Sequence, residues 1–133
     1  MEPTLAWLED PTVFRVNRLD AHSDHVTYLD IQELAAGKTS LRQSLDGLWR
    51  FRWSENPESR PADFWKPDFD DSDFDTIQVP GHMETQGYDQ IQYINKLYDW
   101  DGHAELRPPH IDWRHNPVGS YVTCFDLEET LLE

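Results

Sequence analysis

The sequence predicts a mainly β chain: an incomplete jelly roll or β-sandwich preceded by an extended N-terminal arm that carries one short helix. Three observations predict it. Trp49, Phe51 and Trp53 alternate with Arg50 and Arg52, two further runs at 76–79 and 119–127 are β-favouring, and capping signals bracket only two helical turns over 30–37. The domain plan is an arm over residues 1–44, with its helix near 31–36, and a truncated sandwich over 45–133 that includes a long loop at 80–119.

In the arm, Pro11 biases Asp10 away from helix, and Val13-Phe14-Arg15-Val16 is β-favouring, so Trp7 to His25 is expected to lie extended on something else. Asp30-Ile31-Gln32-Glu33 has the spacing of a capping box, and Gly37 stands where a left-handed cap would close a helix over 31–36. So short a helix is marginal in water without a surface to pack on.

Leu45 to Trp53 is the cleanest strand, with an aromatic face toward a core and an arginine face toward solvent or acids. Pro61 to Trp65 is expected to form one helical turn. Asp68 to Asp75 then puts five acids in eight residues. It lacks the central Gly and terminal Glu of a calcium loop, and Phe69 and Phe74 read as anchors, so no metal site is assigned there. Thr76 to Val79 is a short strand. Gly119 to Leu127 is another, with Tyr121, Thr123, Phe125 and Leu127 on one face, and Cys124 read as a small buried hydrophobe on the other. Three strands are too few to close a sandwich, which needs roughly seven or eight.

Composition narrows the function. With 26 acidic and 11 basic residues the formal charge is −15, so a polyanionic partner is repelled; nucleic acid and anionic membrane are excluded as partners. A single cysteine, Cys124, permits no intrachain disulfide, and no leader or ~20-residue apolar run is present, so a cytoplasmic location is expected. Apolar residues are 38% and aromatics 13%, with six Trp, a balance that fits an ordered chain short of aliphatic core. Aromatic rings in such excess either fill a sandwich or stack on sugars.

Val79 to Tyr121 carries the chemistry. It has no helical period and is rich in aromatic, Pro, Gly and amide residues, the composition of a long ordered loop of the kind that bears function. The scattered histidines lack the i, i+4 pairing of a zinc site, so metal ligation is not assigned to this chain. Trp100 and Trp113 are candidates for stacking on a sugar, with Trp113 rather packing the loop on the sandwich. His103 and Arg107 are candidates for lining a substrate path.

Several motifs occur in order: Trp7…Asp10-Pro11…Asn17-Arg18…Ala21-His22; Ser44-Leu45-Asp46-Gly47-Leu48-Trp49-Arg50-Phe51; Val79-Pro80-Gly81-His82-Met83-Glu84-Thr85-Gln86-Gly87-Tyr88-Asp89; Tyr93-Ile94-Asn95; and Asn116-Pro117-Val118-Gly119-Ser120-Tyr121. Together they resemble the N-terminus of the large β-galactosidases of glycoside hydrolase family 2. Trp100-Asp101-Gly102-His103 with Leu106-Arg107-Pro108-Pro109 is similar to a branch found among Gram-positive bacteria.

The resemblance implies a galactose-binding-like jelly roll that contributes to binding a β-galactoside such as lactose. The family's retaining mechanism uses two glutamates, about 5 Å apart, on a barrel outside these residues. No catalytic residue is therefore assigned to this chain, and alone it is expected to be inactive. Asn95 matches the Asn of the family's Tyr-x-Asn motif, which hydrogen-bonds a galactosyl hydroxyl; an amide donates and accepts, as a hydroxyl does, without bringing charge. Lys96 stands where the family has a small apolar residue or Thr, and Ile94 where it has Thr or Val. The substrate-binding candidates are thus Asn95, Lys96, Trp100 and His103. Magnesium, with sodium, is implied for the full enzyme and no cofactor for this chain. The implied partners are the remainder of the enzyme or other subunits of a homo-oligomer. The alternative is a free-standing carbohydrate-binding module without hydrolase activity.

Overall fold

A computed structural model of the chain describes residues 4–91, 105, 107–114 and 116–132. Among these, β1 (Gly47–Ser54), β2 (Asp75–Val79) and β3 (Val118–Val122) form one antiparallel sheet in the order β2-β1-β3. The fold is mainly β, with one α-helix, α1 (Ile31–Ala36), and three short 3-10 segments among the described residues.

The alternation in β1 sets its two faces. Trp49 pairs with Ile77 and Phe51 with Tyr121, so the aromatic positions of β1 share a face with Ile77 and Tyr121. Phe51, Ile77 and Phe74 are the buried apolar side chains among the described residues. On the other face, the Arg50 guanidinium donates to the Asp71 carbonyl, and Arg52 lies 3.3 Å from the Asp73 carboxylate. Part of the acidic run at 68–75 therefore supplies counter-charges to β1, while Phe69 and Phe74 pack edge to face at 5.8 Å. Pairs this exposed contribute about 0–1 kcal/mol each, so the sheet rests on its aromatic face.

Helix α1 stands where the capping signals put it. The Asp30 carboxylate accepts from the Glu33 N–H at 2.9 Å, and Gly37 closes the helix in the left-handed region at φ 64°. The return bond differs from a capping box: Glu33 accepts from the Leu29 N–H at 2.8 Å and, with its second oxygen, from the Ser40 N–H at 3.0 Å. One carboxylate thus joins the chain entering α1 to the chain leaving it, and the Ser40 side chain first, then the Leu29 N–H, hold it below the usual carboxylate range. Asp30→Ala is expected to cost about 1 kcal/mol of local stability. Amide exchange at Glu33 and Leu34 should accelerate while β1 amides keep their protection.

Four expectations need correction. Leu5–Glu9 is a 3-10 segment rather than extended, closed by Trp7 N–H to Thr4 O at 3.1 Å and ended by Asp10 ahead of Pro11. Val13–Val16 forms no strand, and among the described residues no neighbouring strand supplies partners there. Pro61–Trp65 is a turn and not a helical turn, with Asp63 at φ 61°, a conformation no right-handed helix continues through. β3 stops at Val122 and Cys124 is exposed. Beyond Val122 the chain follows Gln43, whose side-chain amide donates to the Asp126 carbonyl at 2.8 Å and accepts from the Glu128 N–H at 3.1 Å.

Among the described residues no helix is long and apolar enough to cross a membrane.

Candidate functional site

The ascending limb of the long loop, residues 80–91, is fastened to β2 by one side chain. Gln86, in a 3-10 turn (Glu84–Gln86), accepts from the Gln78 N–H through Oε1 at 2.8 Å and donates through Nε2 to the Gln78 carbonyl at 3.0 Å. The amide carries one acceptor and two donors, so it occupies both backbone groups of Gln78 much as a neighbouring strand would. Gly81 leaves the room: a Cβ there would stand 2.6 Å from Gln86 Nε2 and 2.9 Å from the Gln78 carbonyl.

Tyr88 then seats the limb on the core. Its ring meets Phe51 edge-on at 4.5 Å, and Tyr121 meets the same ring at 4.8 Å from β3. Such pairs contribute about 0.5–1.5 kcal/mol each beyond burial. Desolvation pushes the Tyr88 hydroxyl up, with the nearby Asp75 carboxylate adding to it; Tyr121 is pushed up by desolvation and by the charge of Glu84. Both phenols therefore stay neutral at physiological pH.

The descending limb lies on the N-terminal segment. Glu9 accepts from the Ile111 N–H at 3.0 Å and lies 3.2 Å from His110 Nδ1. The Trp113 side chain adds the smallest of the contributions that lower the Glu9 carboxyl. Arg107 sits 2.7 Å from Glu105, in a cleft of about 430 Å³ that His110, Trp113 and Arg114 also line. The limb then runs into β3 beside Phe51.

Asn95, Lys96, Trp100 and His103 lie outside the described residues. Residues 91 and 105, on either side of them, belong to the two limbs just described. The anchors Gln86, Tyr88 and Glu9 were not singled out from sequence. Gln86 and Tyr88 stand within a motif that the resemblance quotes, but nothing local marks an amide as a strand substitute. The partners of Glu9 are 101 and 102 residues away.

An antiparallel sheet with a one-sided aromatic core, carrying a long loop fastened at both limbs, is the architecture of a β-sandwich-type domain. The chain belongs to glycosyl hydrolases family 2: the pattern of the family's sugar binding domain matches residues 42–133. Among its relatives, it is 53% identical over 131 residues to a β-galactosidase of Clostridium acetobutylicum, with 98% of this chain and 15% of that protein covered. It is 50% identical over 141 residues to a β-galactosidase large subunit of Leuconostoc lactis, covering 97% and 22% respectively. A β-galactosidase of Lactobacillus delbrueckii subsp. bulgaricus is 50% identical over 125 residues, covering 94% and 12%. The chain thus spans less than a quarter of the length of each of these relatives.

The magnesium and sodium implied for the full enzyme would need a converging set of oxygen donors. Among the described residues no group of three or more His, Cys, Asp or Glu side chains is placed to hold a metal ion, so the residues described do not fit one.

Proposed function

We propose that this chain is the sugar-binding N-terminal part of a β-galactosidase that hydrolyses terminal β-D-galactosides such as lactose, and that it supplies one wall of the sugar site. The observation that carries the reading is the family match over 42–133 with relatives named β-galactosidase. In this reading Asn95 exchanges hydrogen bonds with a galactosyl hydroxyl. Lys96, Trp100 and His103 are the further substrate-binding candidates in this reading. The two reacting glutamates of a retaining mechanism come from the rest of the enzyme. A cytoplasmic location, and magnesium with sodium bound elsewhere in the whole protein, go with it.

The remainder of the enzyme, or further subunits, are the partners. The name of the Leuconostoc relative as a large subunit supports association. So do exposed apolar side chains on the arm, Phe14, Leu19, Leu29, Ile31 and Leu34, which this chain leaves uncovered.

The purified 133-residue chain is expected to show no galactoside turnover. Supplied with the remainder of the enzyme it should become active, and Asn95→Ala should then lower kcat/KM by roughly 10- to 100-fold, the effect of leaving a buried polar partner unsatisfied. Turnover by the isolated chain that survives the Asn95 change would sink the reading. Millimolar or tighter binding of galactose or lactose by the isolated chain, measured by calorimetry, would favour the free-standing module instead.

A further inference from the structure

The arm and the loop meet through one carboxylate. Glu9 is the last residue of the 3-10 segment Leu5–Glu9, and its side chain is 22% exposed, whereas His110, which it faces, is 70% exposed. Oε1 accepts from the Ile111 N–H at 3.0 Å and Oε2 lies 3.2 Å from His110 Nδ1. The Ile111 backbone and the His110 ring, about a hundred positions further on, thus converge on a single side chain. Other ion pairs of the arm and of the descending limb are local: Arg15 with Asp20, His22 with Asp24, Arg107 with Glu105, and Arg114 with Asp112. Each of those pairs spans two to five residues along the chain.

The descending limb needs such a tie. Its described backbone bonding is one bridge, Arg107 with His110, closed by the His110 N–H to the Arg107 carbonyl at 2.8 Å. A segment with so little backbone bonding of its own opens at low free-energy cost unless it is fastened from outside. A carboxylate suits the task because its two oxygens can accept from a backbone and a side-chain donor together, and a charged acceptor strengthens a hydrogen bond. The Ile111 N–H first, and His110 second, hold the Glu9 carboxyl below its usual range, so it is ionised at neutral pH.

We propose that Glu9 is a positioning residue: the N-terminal segment folds back as an intramolecular clasp and fixes residues 107–114 of the loop. The arm then acts within its own chain as well as toward partners. The step to catalysis, that the clasp sets the loop against the galactosyl group, rests on the function proposed above; the clasp itself does not.

The test is amide hydrogen exchange on the 133-residue chain without sugar, comparing wild type with Glu9→Ala and Glu9→Gln. Glu9→Ala should speed exchange at Ile111 by on the order of tenfold or more, as expected for losing a charge-assisted hydrogen bond, while Phe51 and Ile77 amides stay protected. Glu9→Gln keeps an oxygen for the Ile111 N–H and should restore part of the protection, a rescue that a general packing role would not produce. Unchanged exchange at Ile111 in Glu9→Ala overturns the clasp, and so does equal loss of protection at Ile111 and Phe51. Failure of the chain to bind galactose would count against the sugar-site reading and leave the clasp standing.

Discussion

Phe51→Ala is expected to unfold most of the population of this chain at room temperature. Phe51 is fully buried in the central strand, and its ring is the one that both Tyr88 and Tyr121 pack against, at 4.5 and 4.8 Å. Truncating a buried Phe costs about 3–5 kcal/mol, from lost transfer energy and from the cavity left behind. A domain's whole stability is about 5–15 kcal/mol, and with three buried apolar side chains among its described residues this chain sits at or below the low end. Urea unfolding followed by near-ultraviolet circular dichroism checks it: the transition should move to near zero denaturant, with the tyrosine signal lost first. A shift as small as that of a surface substitution would mean that the core lies elsewhere.

Gly119→Ala is expected to destabilise by overpacking the same ring. Gly119 faces Trp53 across the sheet, and a Cβ there would stand 2.7 Å from Phe51 Cε2 and 2.8 Å from Tyr121 Cε2. The two rings pack on each other, and neither contact is with the far end of a flexible chain that could swing away. Forcing a methyl group into a packed core costs about 1–3 kcal/mol. The source of the cost has its own signature. In Gly119→Ala combined with Phe51→Leu, the smaller side chain makes room, so the double variant should lose less than the sum of the singles. Strict additivity in urea unfolding would place the strain outside this cluster.

These effects also bear on the loop, because Tyr88 and β3 belong to its two limbs. A change at Phe51 or Gly119 that loosens the cluster should loosen residues 80–91 together with the strand. Glu9→Ala acts on residues 107–114 and leaves the sheet intact.

Much of the scaffold was legible in the residues because its cause is local. Trp49, Phe51 and Trp53 against Arg50 and Arg52 fix a strand and its faces, since the period of two belongs to extended backbone itself. Asp30, Glu33 and Gly37 mark α1 because capping bonds span only a few residues. What failed was what depends on neighbours. Val13–Val16 has the composition of a strand and, among the described residues, no partner for its ladder. Cys124 has the composition of a core residue, yet it follows the point where β3 ends, and it is exposed.

By itself the sequence determined the class of chain: the strands, the helix, the family motifs and the matching position Asn95, all of which reside in short-range patterns or in linear order. Only the tertiary structure decided how the loop is held, with Gln86 standing in for a strand on β2, Tyr88 and Tyr121 meeting on Phe51, and Glu9 reaching Ile111. The physical reason is that a hydrogen bond or ring contact between distant residues depends on where folding brings each end. Neither end carries a local mark of its partner.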